Sequence, residues 1–146
     1  MIRFLTFFLL LVLLGVSPLA SSEDKKSAKV TGTFIIPKTV PDIQGQTVEI
    51  LLFKYDTRLA GKAADLVEKI EIKDFKHESG KETSQEFTIG AKADLEEGMG
   101  YYMTLFVLKD GNRTHMGEAE HAPKNLCKVL TMGNPNKIKM TVLPVR

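Results

Sequence analysis

The side chains able to do metal or nucleophile chemistry are His77, His115, His121, Cys127, Met116 and Met132. Two histidines, a cysteine and a weak methionine are the donor set of a blue-copper centre, where imidazole and thiolate fix the ion and a long thioether bond tunes it. The order along the chain does not follow that plan. No histidine lies between Cys127 and Met132, and His115 and His121 both precede the cysteine. Met116 also points away from His115 if the two lie on one strand. Copper or zinc held by His115, His121 and Cys127 is therefore the alternative. The leading expectation is no cofactor, with surface histidines and thioethers that fill gaps in a core. Cys127 as a nucleophile would need a neighbouring imidazole and an electropositive pocket to form thiolate. His121 is the nearest histidine in sequence and lies across Pro123. Two carboxylate pairs, Glu96 with Glu97 and Glu118 with Glu120, read as solvated loop charges. Asn112-Arg113-Thr114 is a glycosylation sequon on an expected turn. No glycine loop follows a strand and opens a helix, so nucleotide binding has no support.

The elements that would position these groups are strands. Val30, Gly32, Phe34 and Ile36 alternate with Thr31 and Thr33, the two-residue period of a half-buried strand that Pro37 stops. Thr47 to Tyr55 carries apolar residues on both faces, which predicts a central strand. Leu59 to Lys69 fits helical spacing and also alternation; the reading is a short turn or loop, then a strand from about Val67 to Lys76. Thr83 to Ile89 alternates cleanly. Tyr101 to Leu108 sets Tyr101, Met103, Leu105 and Val107 against Tyr102, Thr104, Phe106 and Leu108. Asp110-Gly111-Asn112 predicts a hairpin into a return strand over 113–118. A short strand over 126–130, the turn Gly133-Asn134-Pro135-Asn136 and a last strand with Ile138, Met140 and Val142 on its core face complete the series. The expected fold is all-β: one antiparallel sandwich or small barrel of about seven to eight strands, preceded by a signal-peptide helix.

Residues 1–22 supply that signal. Arg3 gives the positive start, an apolar run reaches Leu14, Gly15 and Pro18 break it, and small residues precede cleavage near Ser22 or after Ala20. The run falls short of the roughly 20 apolar residues of a spanning helix. The chain divides into a signal peptide at 1–22, a disordered leader at 23–28 and a β domain at 29–145. The product is expected in the periplasm or outside the cell, soluble and not inserted in a membrane after cleavage. With 20 Lys+Arg against 18 Asp+Glu and no Trp, nothing in its charge points to nucleic acid. One cysteine excludes an internal disulfide.

The order of VTGTFIIP (30–37), VEILLFKY (48–55), YYMTLFVLKDGNR (101–113) and LTMGNPNKIKMTVLPV (130–145) resembles the small lipoproteins that include the type III secretion pilotins. It is also similar to uncharacterised secreted proteins of planctomycete-type bacteria. The sharpest part is the closing Leu130-Thr131-x-Gly133-Asn134-Pro135. The resemblance implies a β-sandwich that escorts an envelope protein. Pilotins carry a lipidated cysteine at the mature N-terminus, a position that the lone Cys127 does not supply. The function expected is thus non-enzymatic recognition of a protein partner, through loops or by strand addition at a sheet edge. The loops 56–66 and 117–125 are the places to look, with Asp56, Arg58, Glu118 and Glu120 as the polar contacts.

Overall fold

The computed structural model describes residues 25–145; the expected signal segment 1–22 and the start of the leader lie outside the described residues. Eight strands follow in chain order: β1 (Val30–Ile36), β2 (Ile43–Asp56), β3 (Asp65–His77), β4 (Thr83–Ile89), β5 (Met99–Lys109), β6 (Asn112–Ala119), β7 (Cys127–Val129) and β8 (Lys137–Pro144). They form one sheet in the order β3-β2-β5-β6-β8-β1-β4, with β7 paired to β5. The sheet curls into a nearly closed barrel, and its two edge strands, β3 and β4, come to face each other. They are joined at one end by the turn between them and by His77, whose Nδ1 lies 2.8 Å from Thr83 Oγ1. At the other end the Glu68 carboxylate accepts the Gly90 N–H at 2.6 Å. The all-β reading holds, and among the described residues there is no helix. The antiparallel expectation meets one exception. β1 and β8 run parallel, with Gly32 opposite Ile138 and Phe34 opposite Met140. The chain's first and last strands are thereby neighbours, which lets a meander close on itself.

The inward rows are those that alternation predicts. Val30, Phe34 and Ile36 of β1, Tyr101, Met103, Leu105 and Val107 of β5, and Ile138, Met140 and Val142 of β8 are buried. Phe34 sits at their centre, its ring 5.7 Å from Phe75 and 6.5 Å from Phe87. Phe87 can lie there because its cross-strand partner is Gly32; a Cβ on that glycine would fall 2.4 Å from the ring. On β3 the inward row changes phase. Ile70 and Ile72 face the core, then Asp74 adopts φ 53° and Phe75 and His77 take over. An extra residue of this kind bends a strand and tightens its twist, as barrel closure requires.

Two boundaries differ from expectation. The leader is not free at its end: Ala28 is buried, its N–H donates to Ala93 O at 2.7 Å, and Lys26 O accepts from Leu95 N. The segment 57–64 is a loop with turns, as the loop reading has it, but β3 begins at Asp65, ahead of the expected Val67.

Candidate functional site

Along β2 the outward row is Leu51, Phe53 and Tyr55; along β5 it is Tyr102, Thr104 and Phe106. Sequence pattern reads such two-sided apolarity as burial between layers. In a single curled sheet there is no second layer, so the aromatic members of the outward row stay partly exposed, whereas Leu51 is buried. Register then lines these side chains up across strands. Phe53 opposes Tyr102, which opposes Lys128 of β7. Phe106 opposes Met116 of β6, which opposes Leu143 of β8. The band spans β2, β5, β6 and β8, three inter-strand spacings or about 14 Å. The Phe53 and Tyr102 rings stack at 5.0 Å, Tyr55 leans on Tyr102 at 6.1 Å, and the Arg113 guanidinium lies 3.8 Å above the Phe106 ring. Leu126 and Met116 remain 48% and 39% exposed.

The middle of the band is split. β6 pairs with β5 only as far as Phe106–Met116, then leaves to pair with β8; β7 joins β5 at Met103. Between these ladders is a cavity of about 390 Å³, walled by Thr104, Phe106, Met116, Gly117, Leu126 and Cys127 among others. Thr104 Oγ1 is buried in this wall without a hydrogen-bond partner. Two further depressions share the cavity's walls. One of about 580 Å³ lies under the 56–64 loop and reaches Tyr102 and Leu126. Another of about 530 Å³ runs past Met116 and Lys124 to Leu143 and Val145. The three adjoin through shared lining residues, Leu126 on one side and Met116, Glu118 and Lys124 on the other, and together form one groove.

The polar residues expected to bind stand at its borders, largely engaged with each other. Arg58 closes on Asp56 through two side-chain bonds of 2.9 and 2.8 Å. The guanidinium bonds hold the Asp56 carboxyl down at about 2. Glu120 pairs with Lys139 at 3.0 Å. Glu118 lines the groove and has no ion pair among the described residues. Pattern reasoning reached the two loops and assigned the aromatics between them, Tyr55, Tyr102 and Phe106, to core packing rather than to a ligand groove. It also passed over Lys62, Lys124 and Lys128, which line these depressions.

The structure does not gather the metal trio. His115 is opposite Val107 and Cys127 is opposite Met103. Four residues of β5 separate those positions, about 13 Å. His121 donates from Nε2 to Lys128 O at 3.0 Å. Among the described residues no three His, Cys, Asp or Glu side chains are grouped to hold an ion. Burial pushes the Cys127 thiol up to about 11, which keeps it protonated and a poor nucleophile at neutral pH. The one deeply buried histidine is His77, 2% exposed. Its Nε2–H donates to Val40 O at 3.1 Å, and its Nδ1 lies 2.8 Å from the Thr83 hydroxyl. It serves as a latch where the barrel's edges meet.

No protein-family model matches the sequence, and no curated protein matches it. Among solved structures the fold is similar to that of an alternative pilotin from the type II secretion system of Vibrio cholerae. The identity is 15%, the match covers 83% of this chain and 99% of that one, and the TM-score is 0.57. Likeness at that identity concerns the fold. It agrees with the pilotin-like architecture expected from the sequence, although the system is type II, not type III.

Proposed function

We propose that this chain is an exported, non-enzymatic recognition protein of the bacterial envelope. Its outer groove seats a segment of a protein belonging to a secretion or outer-membrane assembly. The observation that carries the reading is the contiguous apolar band from Tyr55 to Leu143 on a surface that the fold leaves uncovered. Contiguous apolar surface marks interaction sites, and here partly exposed rings adjoin the exposed Met116 and Leu126. Stacked rings around a cavity, rimmed by charged loops, are also the make-up of an interface core and its rim. The pilotin neighbour supports this reading through the fold, and the signal-like start supports export. No helix among the described residues is long and apolar enough to cross a membrane.

Of the two routes open to a β protein, the groove is better supported than strand addition. The β3 edge carries Lys69 held between Glu49 at 2.9 Å and Glu71 at 2.8 Å, with Lys73 beyond. Mixed charges of this kind guard an edge against foreign strands.

The test is capture from envelope extract with three baits: the wild type, Met116→Glu with Phe106→Glu, and Thr33→Glu with Thr88→Glu on the opposite wall. A partner that binds the wild type and the opposite-wall variant, and is lost by at least tenfold from the groove variant, is the expected result. Equal capture by all three, with each bait folded by circular dichroism, overturns the assignment of the groove.

A further inference from the structure

The charges around the groove are unevenly used. Asp56 is closed by Arg58 and Glu120 by Lys139. Lys62 and Lys128 line the depression under the 56–64 loop, and Lys124 lines both others. None of these three makes an ion pair among the described residues. Lys62 is close enough to act on Asp56 through space, but that carboxylate's oxygens are already taken by Arg58. Arg113, flat on Phe106, is a fourth cation on the same face without a carboxylate partner among the described residues. The single open carboxylate is Glu118. On β3 the contrast is plain, for there Lys69 is clasped by two carboxylates.

A groove lined by three lysines and one carboxylate, all unpaired among the described residues, with Arg113 on the Phe106 ring beside it, is complementary to one kind of segment. We propose that the occupant is an acidic peptide segment of a partner protein. Its apolar side chains would enter the cavity where β5 and β6 part, and its carboxylates would meet Lys62, Lys124, Lys128 and Arg113. This proposal rests on the reading of the groove as a recognition surface and adds the chemistry of what it recognises. Unpaired rim cations raise the rate of encounter with an acidic partner and reject basic ones, and added salt screens them.

The probe is a random 16-residue peptide display library, selected on the purified protein and counter-selected on Met116→Glu. The expected survivors carry apolar anchors flanked by Asp and Glu, with acidic residues enriched at least tenfold over basic ones. Raising NaCl from 50 to 500 mM should weaken representative peptides by about tenfold or more. The same selection on a Lys62→Glu, Lys124→Glu, Lys128→Glu variant should reverse the preference; these lysines are exposed, so the fold is expected to persist by circular dichroism. Survivors that are neutral or basic on the wild type overturn the acidic class while leaving the groove reading intact. Binders that are all removed by the Met116→Glu counter-selection, leaving no survivors, overturn the groove reading itself. Dodecanoate that binds in a Met116-dependent way where no peptide does would show that the groove takes an acyl chain, and would overturn both.

Discussion

On the wall made by β1 and β4 the outward side chains are Thr31, Thr33, Ser84, Glu86 and Thr88, with Ile35 the one large apolar residue among them. On the wall made by β2, β5 and β6 the equivalent positions hold Phe53, Tyr55, Tyr102, Phe106 and Met116. Inward, the two walls are alike: both present aliphatic and aromatic rows to one core around Phe34. The barrel therefore closes with a polar exterior as readily as with an aromatic one, and folding alone does not call for the aromatic exterior. What differs between the walls is solvation. That difference is what supports the binding role proposed for the second wall, because a partly exposed aromatic band raises the hazard of association.

The comparison breaks if the outer rings prove as structural as the inner ones. Phe34→Ala removes a fully buried ring from the centre of the core and should cost about 3–5 kcal/mol in urea unfolding. Tyr102→Ala removes one member of a half-exposed stack and should cost about 0.5–1.5 kcal/mol beyond its modest area. Equal losses would make the aromatic band a second core and would remove the argument for a partner.

The inner face of the barrel was legible in the sequence; the function of the outer face was not. Val30 to Ile36, Tyr101 to Val107 and Ile138 to Val142 announce their buried rows because a two-residue period survives any arrangement of strands. Strand order leaves no such trace, so the parallel meeting of β1 with β8 is absent from the pattern. The outer row of β2 was visible as residues and mistaken in meaning. Leu51, Phe53 and Tyr55 look the same to alternation whether a second sheet covers them or solvent does. Asp56, Arg58, Glu118 and Glu120 were reached by the general rule that loops carry function. The lysines beside them became meaningful once register and ion pairing showed which charges were already used.

Two glycines sharpen the comparison at smaller scale, each lying beneath an aromatic ring of the neighbouring strand. Gly32 is under Phe87, and a Cβ would meet ring atoms at 2.4 Å with Ile138 beside it at 3.0 Å. Gly100 is under Tyr55, with ring atoms at 2.3 Å. Phe87 is enclosed by the core, whereas Tyr55 is half-exposed and can swing outward. Gly32→Ala should thus cost about 1–3 kcal/mol. Gly100→Ala should cost less than about 1 kcal/mol in the same measurement, while moving Tyr55 at the groove's edge and weakening partner binding. Binding untouched by Gly100→Ala would place the recognition surface away from Tyr55.

The smallest effect concerns the end of the barrel where the two walls meet. His115 follows Thr114, whose hydroxyl lies 2.9 Å from both His115 Nδ1 and Gln46 Oε1. Burial holds the imidazole of His115 below its ordinary value of 6.5, and the charge of nearby His77 acts in the same direction. In the unfolded chain that burial is gone and the group titrates near 6.5. Between the folded value and 6.5 the unfolded chain binds more protons, so stability rises with pH there and falls as the solution is acidified from 6.5. The urea midpoint should be lower at pH 5 than at pH 7.5, and His115→Gln should flatten that slope. The imidazole proton resonances of His115, followed by NMR in the folded protein, should give a midpoint below 6.5. A midpoint at or above 6.5 would mean that this end of the barrel is open to water, and that the inner face is less dry there than on the side of Phe34.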